Sequence, residues 1–534
     1  MKIYQKILLG FALFLVLFIA AVHVYVTYYL EDQIKTTLVS EINSNSDGKY
    51  ELTVLNLDLS FIKREILLED ISFNTTARAI QQLNVDLNSI SLSGIDISQL
   101  LLNREISIRR ILVENPVIQS RRDSSVSTGS SAETLIQRAA EASSAVLTNI
   151  LIPEITFTQF DLKMFRQNEQ TPYLSFSNSE LNLFDTSLNK SALSGSLPFK
   201  NVTGEFKNIE YKPANDLYAV RIASADFSST AQTLGADSIS LTPTLSESNF
   251  FKKVGYRTDR MEGSITRFDI EGLDFDALMN RGSLISENIF LGEATLLLFR
   301  DKNYPRRENR PDKPLPQQLL KELEIPILVD TVSIENAAIT YSEMAENADD
   351  RGYVEFTNLN ARLLNTTNID SLVRKNSNWI LEASTRVMDK GELDVTFQFP
   401  LNEESHTITG RLKEMNATEL NKAIEPIAAI RIESGNISSV RFEMRMGVTE
   451  AVGFVEVIYD DLQLSVLDGE TGDKNIRSRI TSFLANQFKI KQENRAEDPR
   501  MGTILYQRES EKSFFNYWWK SLRDGLKTSI GIDN

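Results

Sequence analysis

From residue 49 onward the chain alternates apolar and polar positions at period two. Leu57, Leu59 and Phe61 lead into Ile66 and Leu68, then Leu83, Val85 and Leu87. The pattern returns in Phe160, Leu162 and Met164, in Leu393, Val395, Phe397 and Phe399, and in Val440, Phe442, Met444 and Met446. Such alternation gives a strand one apolar and one polar face. Clusters of Asn, Asp, Ser and Gly separate the runs, as antiparallel connections require. On the order of 25 strands fit this criterion, which predicts a mainly β fold over residues 49–467. Two stretches break the rhythm. Residues 120–150 form a polar loop leading into a helical pattern, and residues 300–320 are charged and proline-rich, expected to be extended and solvated.

The two ends follow other rules. Ile7–Val26 holds about 20 uncharged, mostly apolar residues, the length of a transmembrane helix. Lys2 and Lys6 precede it and Glu31 and Asp32 follow, so residues 1–6 are expected in the cytoplasm and the rest beyond the membrane. Residues 27–48 read as a polar helical linker. His23 falls near the outer boundary of the span and reads as a neutral boundary residue.

Residues 468–534 read as a basic, amphipathic, helical cap. From residue 474 onward, 12 Lys and Arg face 7 Asp and Glu, a net +5, against −21 for the residues before it. In the last helix Phe514, Trp518, Leu522 and Leu526 recur every four residues, with Phe515 and Trp519 widening the stripe. That stripe suits either an anionic membrane surface or the exposed end of a sheet, and covering the sheet end is favoured.

Three stretches look alike. "GIDISQLLLNREISIRRILVENPVIQSRRD" (94–123) parallels "GLDFDALMNRGSLISENIFLGEATLLLFRD" (272–301), and a weaker copy begins "MNATELNKAIEPIAAIRIESGNISS" at 415. Ser98, Asp276 and Thr418 are expected to cap the short helix of each copy. At these residues, with the N-terminal span and the closing "SFFNYWWKSL", the chain resembles the AsmA-like family of bacterial envelope proteins. That family is related in architecture to TamB, YhdP and the eukaryotic bridge-like lipid transfer proteins. The resemblance implies an inner-membrane anchor and a periplasmic, elongated, twisted antiparallel sheet curled into an open apolar groove. It also implies that phospholipid is carried there for outer-membrane biogenesis.

Composition narrows the chemistry. There is no cysteine and only His23 and His406, which excludes disulfides, thiol nucleophiles and His-rich metal sites. His406 is expected at a loop or strand start on the polar face. No nucleotide-binding, hydrolase or metalloprotease motif is present, so no catalytic residue, metal or cofactor is expected, and no nucleic acid partner. Two functions remain. In the first, Leu393, Val395, Phe397, Phe399, Val440, Phe442, Met444 and Met446 line a deformable acyl-chain surface. In the second they are ordinary sheet core, and the protein is an envelope scaffold holding partners. The C-terminal end is expected to meet the outer membrane or an envelope protein.

Overall fold

The computed structural model describes residues 29–45, 48–60, 62–76, 82–95, 108–122, 150–188, 198–308, 311–346, 348, 350–466 and 490–531. Among them the chain is mainly β, with 21 strands assigned to a mixed sheet and short helices between strands. The span Ile7–Val26 lies outside the described residues, and no described helix is long and apolar enough to cross a membrane. The chain divides into two units, Met1–Ala214 with Ile222–Ala231, and Asn215–Arg221 with Gln232–Asn534.

Unit 1 opens with helix α1 (Glu31–Asn45), within the predicted linker. Strands β1 (Tyr50–Ser60), β2 (Glu65–Thr75) and β3 (Gln82–Ser93) follow as an antiparallel meander. β4 (Arg110–Glu114) and β5 (Val117–Arg122) are nearly one strand, separated at Asn115, which sits at φ 52°, and Pro116, which lacks a ladder donor. Both pair with β3 on one side and run parallel to β6 (Ile150–Arg166) on the other. β7 (Leu174–Leu188) and β8 (Asn201–Tyr211) continue antiparallel. β9 (Tyr218–Ser228) contributes residues to both units.

Unit 2 contains β10 (Thr233–Pro243), β11 (Asp259–Glu271) and β12 (Leu284–Asp301), antiparallel to one another. β12 is parallel to β13 (Ile327–Met344). From β13 the order runs antiparallel through β14 (Arg351–Thr367), β15 (Asn378–Val387), β16 (Gly391–Pro400) and β17 (His406–Leu412). The two-residue β18 (Met415–Asn416), β19 (Ile430–Met446), β20 (Glu450–Val466) and β21 (Met501–Gln507) complete it.

The expectation of a purely antiparallel sheet is therefore corrected at β4–β6, β5–β6 and β12–β13. A parallel pair needs a crossover of a dozen residues or more. The two polar interruptions in the sequence are these crossovers. The second is not the free linker expected. Residues 305–308 and 311–313 of it are exposed, but Leu315 and Gln317 are buried where helix α3 (Pro316–Glu322) starts. Lys313 N–H donates to Ser510 O at 2.8 Å, and Gln317 Nε2 donates to Glu404 O at 3.0 Å, so the segment straps the end of unit 2. Of the first crossover, residues 123–149 lie outside the described set.

The repeat caps are also corrected. Asp274, not Asp276, caps α2 (Phe275–Arg281), accepting from Ala277 N–H at 2.8 Å; Asp276 instead accepts from Asn280 Nδ2. Asn416, not Thr418, caps the turn Ala417–Leu420 that precedes α4 (Asn421–Ala428), accepting from Thr418 N–H at 2.9 Å. In both copies the cap sits two residues earlier, because the chain leaves the strand sooner than the leucine spacing suggested. Ser98 lies outside the described residues.

Single residues in left-handed conformation interrupt many strands, among them Asp70, Gln159, Asn178, Asn208, Asn336 and Asn358. Most are Asn or Asp, which tolerate that conformation best. All of these but Asp70 coincide with a register shift against a neighbouring strand, and Gln159 reverses the in–out parity of its own. At Gln159 the reversal, with register shifts on both sides, lets Phe160, Leu162 and Met164 share the face of Phe157. Period two alone would have put them on opposite faces.

Candidate functional site

Two apolar faces compete for the role, and they differ in cover. In unit 2 the face is closed at the β16–β21 end, while the row Phe268, Leu291 and Ile334 on β11–β13 is half-buried. Leu393, Val395, Phe397, Phe399, Val440, Phe442, Met444 and Met446 are all at most 9% exposed and form one packed cluster with Ile408, Val455, Ile504 and Tyr517. Their lid is helix α5 (Phe514–Ser529), whose Phe514, Trp518, Leu522 and Leu526 pack onto the cluster. Phe397 lies 5.2 Å from the Trp518 ring and 6.1 Å from Phe514. The eight residues expected to line a groove are thus the interior of a filled core. The predicted stripe splits as well: Phe515 and Trp519 do not widen it but point outward, 69% and 55% exposed.

The lid also seals the sheet edge. β21 was expected to be helical, but Gly502, Ile504 and Tyr506 alternate inward and pair with β20, making it the last strand. Its outward N–H groups are taken up by the helix: Thr503 donates to Thr528 Oγ1 at 3.0 Å and Leu505 to Asp524 Oδ2 at 3.1 Å. Close approach rests on two facing glycines, since a Cβ on Gly502 would come within 1.9 Å of Gly525 O. Of the basic helix predicted before it, residues 467–489 lie outside the described set.

His406 opens β17 as expected, but on the buried face rather than the polar one. Its ring lies 5.0 Å from Phe399 and 5.3 Å from Phe514 and is 1% exposed. Gln317 Nε2, at 3.5 Å from Nδ1, is its polar neighbour, and Nε2 has no partner. Burial first, and the Arg508 charge second, push its pKa down to about 4. Unfolded, the imidazole takes a proton near pH 6.5. Folding stability should therefore fall as pH drops from about 6.5 toward 4, by on the order of 3 kcal/mol. Melts of the wild type across that window, against His406→Gln, check this: the variant should have lost most of the slope.

Unit 1 carries the other face. Successive register partners place Leu57, Leu68, Ile90, Val113, Phe157 and Leu181 in one row across six strands. A second row joins Leu59, Ile66, Leu92, Ile111, Ile155, Leu183 and Val202. Beside them runs a ladder of phenylalanines. Phe157, Phe160, Phe176, Phe206 and Phe227 follow one another with ring centroids 6.2, 5.0, 4.9 and 5.9 Å apart. These five rings are only half-buried, unlike the unit 2 core. Among the described residues, α1 packs against this sheet at β1. The face was legible in the notation of alternating residues, but nothing in that pattern distinguished it from the filled core.

Two shallow depressions among the described residues, of about 540 and 290 Å³, are lined by mixed polar strand residues such as Glu335, Arg362 and Asp394, or Asp70, Asp86 and Asn115. Among the described residues no group of three or more His, Asp or Glu side chains could hold a metal ion. What the unit 1 face can do is exclude water from apolar chains laid against it. No protein-family model matches the chain, and no curated protein does.

Proposed function

We propose that this chain is a membrane-anchored, AsmA-like envelope protein that binds phospholipid acyl chains on the apolar face of unit 1, in support of outer-membrane biogenesis. The reading includes Ile7–Val26 as a single span with the N-terminus cytoplasmic and the remainder periplasmic. The observation that carries it is the continuous apolar face across β1–β8 with its half-buried phenylalanine ladder, set against the filled core at the β16–β21 end of unit 2. A large uncovered apolar surface marks a binding site for something apolar. A row of flexible acyl chains suits a strip lined by Leu, Ile and Phe with no polar group to fix orientation. The acidic net charge of −16 keeps the opposite, polar face soluble.

The test is photocrosslinking in cells with benzoylphenylalanine placed at Phe176, Leu181 or Phe442. Lipid adducts at 176 and 181 but not at 442 are expected. Adducts only with protein at 176 and 181 would favour the scaffold reading. That second reading draws on the outward Phe515 and Trp519, with Arg523 also exposed, which suit a membrane or protein partner at the C-terminal end.

A further inference from the structure

The first hairpin of unit 1 ends in a tip with an unusual surface. Ile62 is 98% exposed, the most exposed large apolar side chain of the described chain, and Lys63 and Arg64 beside it are exposed too. A lone surface isoleucine needs no explanation. Its position does. Helix α1 runs antiparallel to β1 and is stitched to that strand's outward edge by side chains. Glu31 Oε1 accepts from Leu59 N–H at 2.8 Å, Lys35 Nζ donates to Leu55 O at 3.3 Å, and Asn43 exchanges two bonds with the Leu52 backbone at 2.7 and 3.1 Å. The start of α1 is thereby held beside the end of β1, next to the tip.

The same end of the sheet gathers positive charge. Ile95 N–H donates to Arg64 O at 3.1 Å, and Arg109 N–H to Ser93 O at 3.1 Å, which brings Arg109 to this end. Lys63, Arg64 and Arg109 are exposed and make no ion pair among the described residues. The acids nearby are engaged: Glu31 with Leu59, Asp32 with Lys35 at 3.6 Å, and Glu65 with Ser91 Oγ at 2.5 Å. Three bases and an apolar tip are left facing outward.

We infer that this hairpin tip is a second membrane contact, with Ile62 entering the interface and Lys63, Arg64 and Arg109 meeting anionic headgroups. The inference rests on the reading of Ile7–Val26 as a bilayer anchor. Four residues separate Val26 from Glu31, five Cα steps or at most about 18 Å of chain. The tip is tied to Glu31, so it cannot leave the bilayer surface by more than a short reach. Basic residues near an anionic surface contribute attraction that salt screens, and an apolar residue between them adds burial. Two attachments, anchor and tip, would fix the β1 end of the apolar face against the lipid source.

The chain has no cysteine, so a single introduced thiol is unique. The experiment labels Ile62→Cys in the full chain with an environment-sensitive fluorophore and reconstitutes it in phosphatidylethanolamine vesicles with or without phosphatidylglycerol. Asn168→Cys is the control. β6 runs parallel to β4, so the exposed β6–β7 turn lies at the far end of the same strands. Several-fold protection of the label at 62 from iodide is expected with phosphatidylglycerol, none at 168, and loss of protection on adding Lys63→Glu with Arg109→Glu. Equal quenching at 62 and 168 in chains that co-float with vesicles would overturn the tip contact alone. Chains that fail to co-float would overturn the anchor and the tip together.

Discussion

Phe442→Asp should abolish the folded core of unit 2, whereas Phe176→Asp should leave unit 1 folded and, on the proposed lipid-binding reading, abolish lipid adducts there. The two substitutions are chemically identical and differ only in cover. Phe442 is 3% exposed, and its ring lies so tightly over Gly410 that a Cβ there would fall 2.1 Å from it. Losing the ring costs about 3–5 kcal/mol, and an unpaired buried carboxylate costs several more. That sum is comparable to the whole stability of an ordinary domain, about 5–15 kcal/mol. Phe176 is half-buried between Phe160 and Phe206, and a carboxylate there can turn to water. All three tryptophans, Trp379, Trp518 and Trp519, belong to unit 2, so tryptophan fluorescence reports that core while circular dichroism follows both units. A normal melt for Phe442→Asp with lost lipid adducts would return the lipid site to unit 2.

Removing residues 510–534 should make unit 2 aggregate. The deletion strips Phe514, Trp518, Leu522 and Leu526 from the cluster and takes away the fully buried Tyr517. With most of these side chains only partly buried, the loss is on the order of 5 kcal/mol. It also frees the N–H groups of Thr503 and Leu505 on the edge strand. A long unpaired edge is a template for pairing with another chain. A gentler probe is Gly525→Leu. A Cβ at Gly525 would come within 2.6 Å of Val455 and 2.8 Å of Ile504, so the helix must lift. The cost should be about 1–3 kcal/mol or more, read as a lowered tryptophan-fluorescence melt with the chain still soluble. An unchanged melt and no aggregation in the deletion would mean the helix is not the lid.

Much of this architecture could be read from residue order. Period-two alternation marked the strands because each strand's pleat sends neighbours to opposite faces, a local property. The helix at 514–529 and its inward Phe514, Trp518, Leu522 and Leu526 followed from spacing on a single helix. The two polar breaks were seen as well, though not as parallel crossovers, because strand direction depends on which strands pair across the break. The left-handed bulges were missed for a related reason: Gln159 looks like any polar strand residue until its register partners are known.

Cover was what the chain order could not decide. Phe397 and Phe442 sit in the same kind of alternating run as Phe160 and Phe176, and by pattern all four are equally fit to line a groove. Their difference is made by elements far away in sequence. Helix 514–529 lies over Phe397 with its rings 5.2 and 6.1 Å away, and the strap at Leu315 closes the same cluster from almost two hundred residues upstream of the helix. Hydrophobicity of a strand face is set by its own residues, and alternation reveals it. Whether that face meets water, lipid or protein is set by long-range packing, which only the tertiary structure shows.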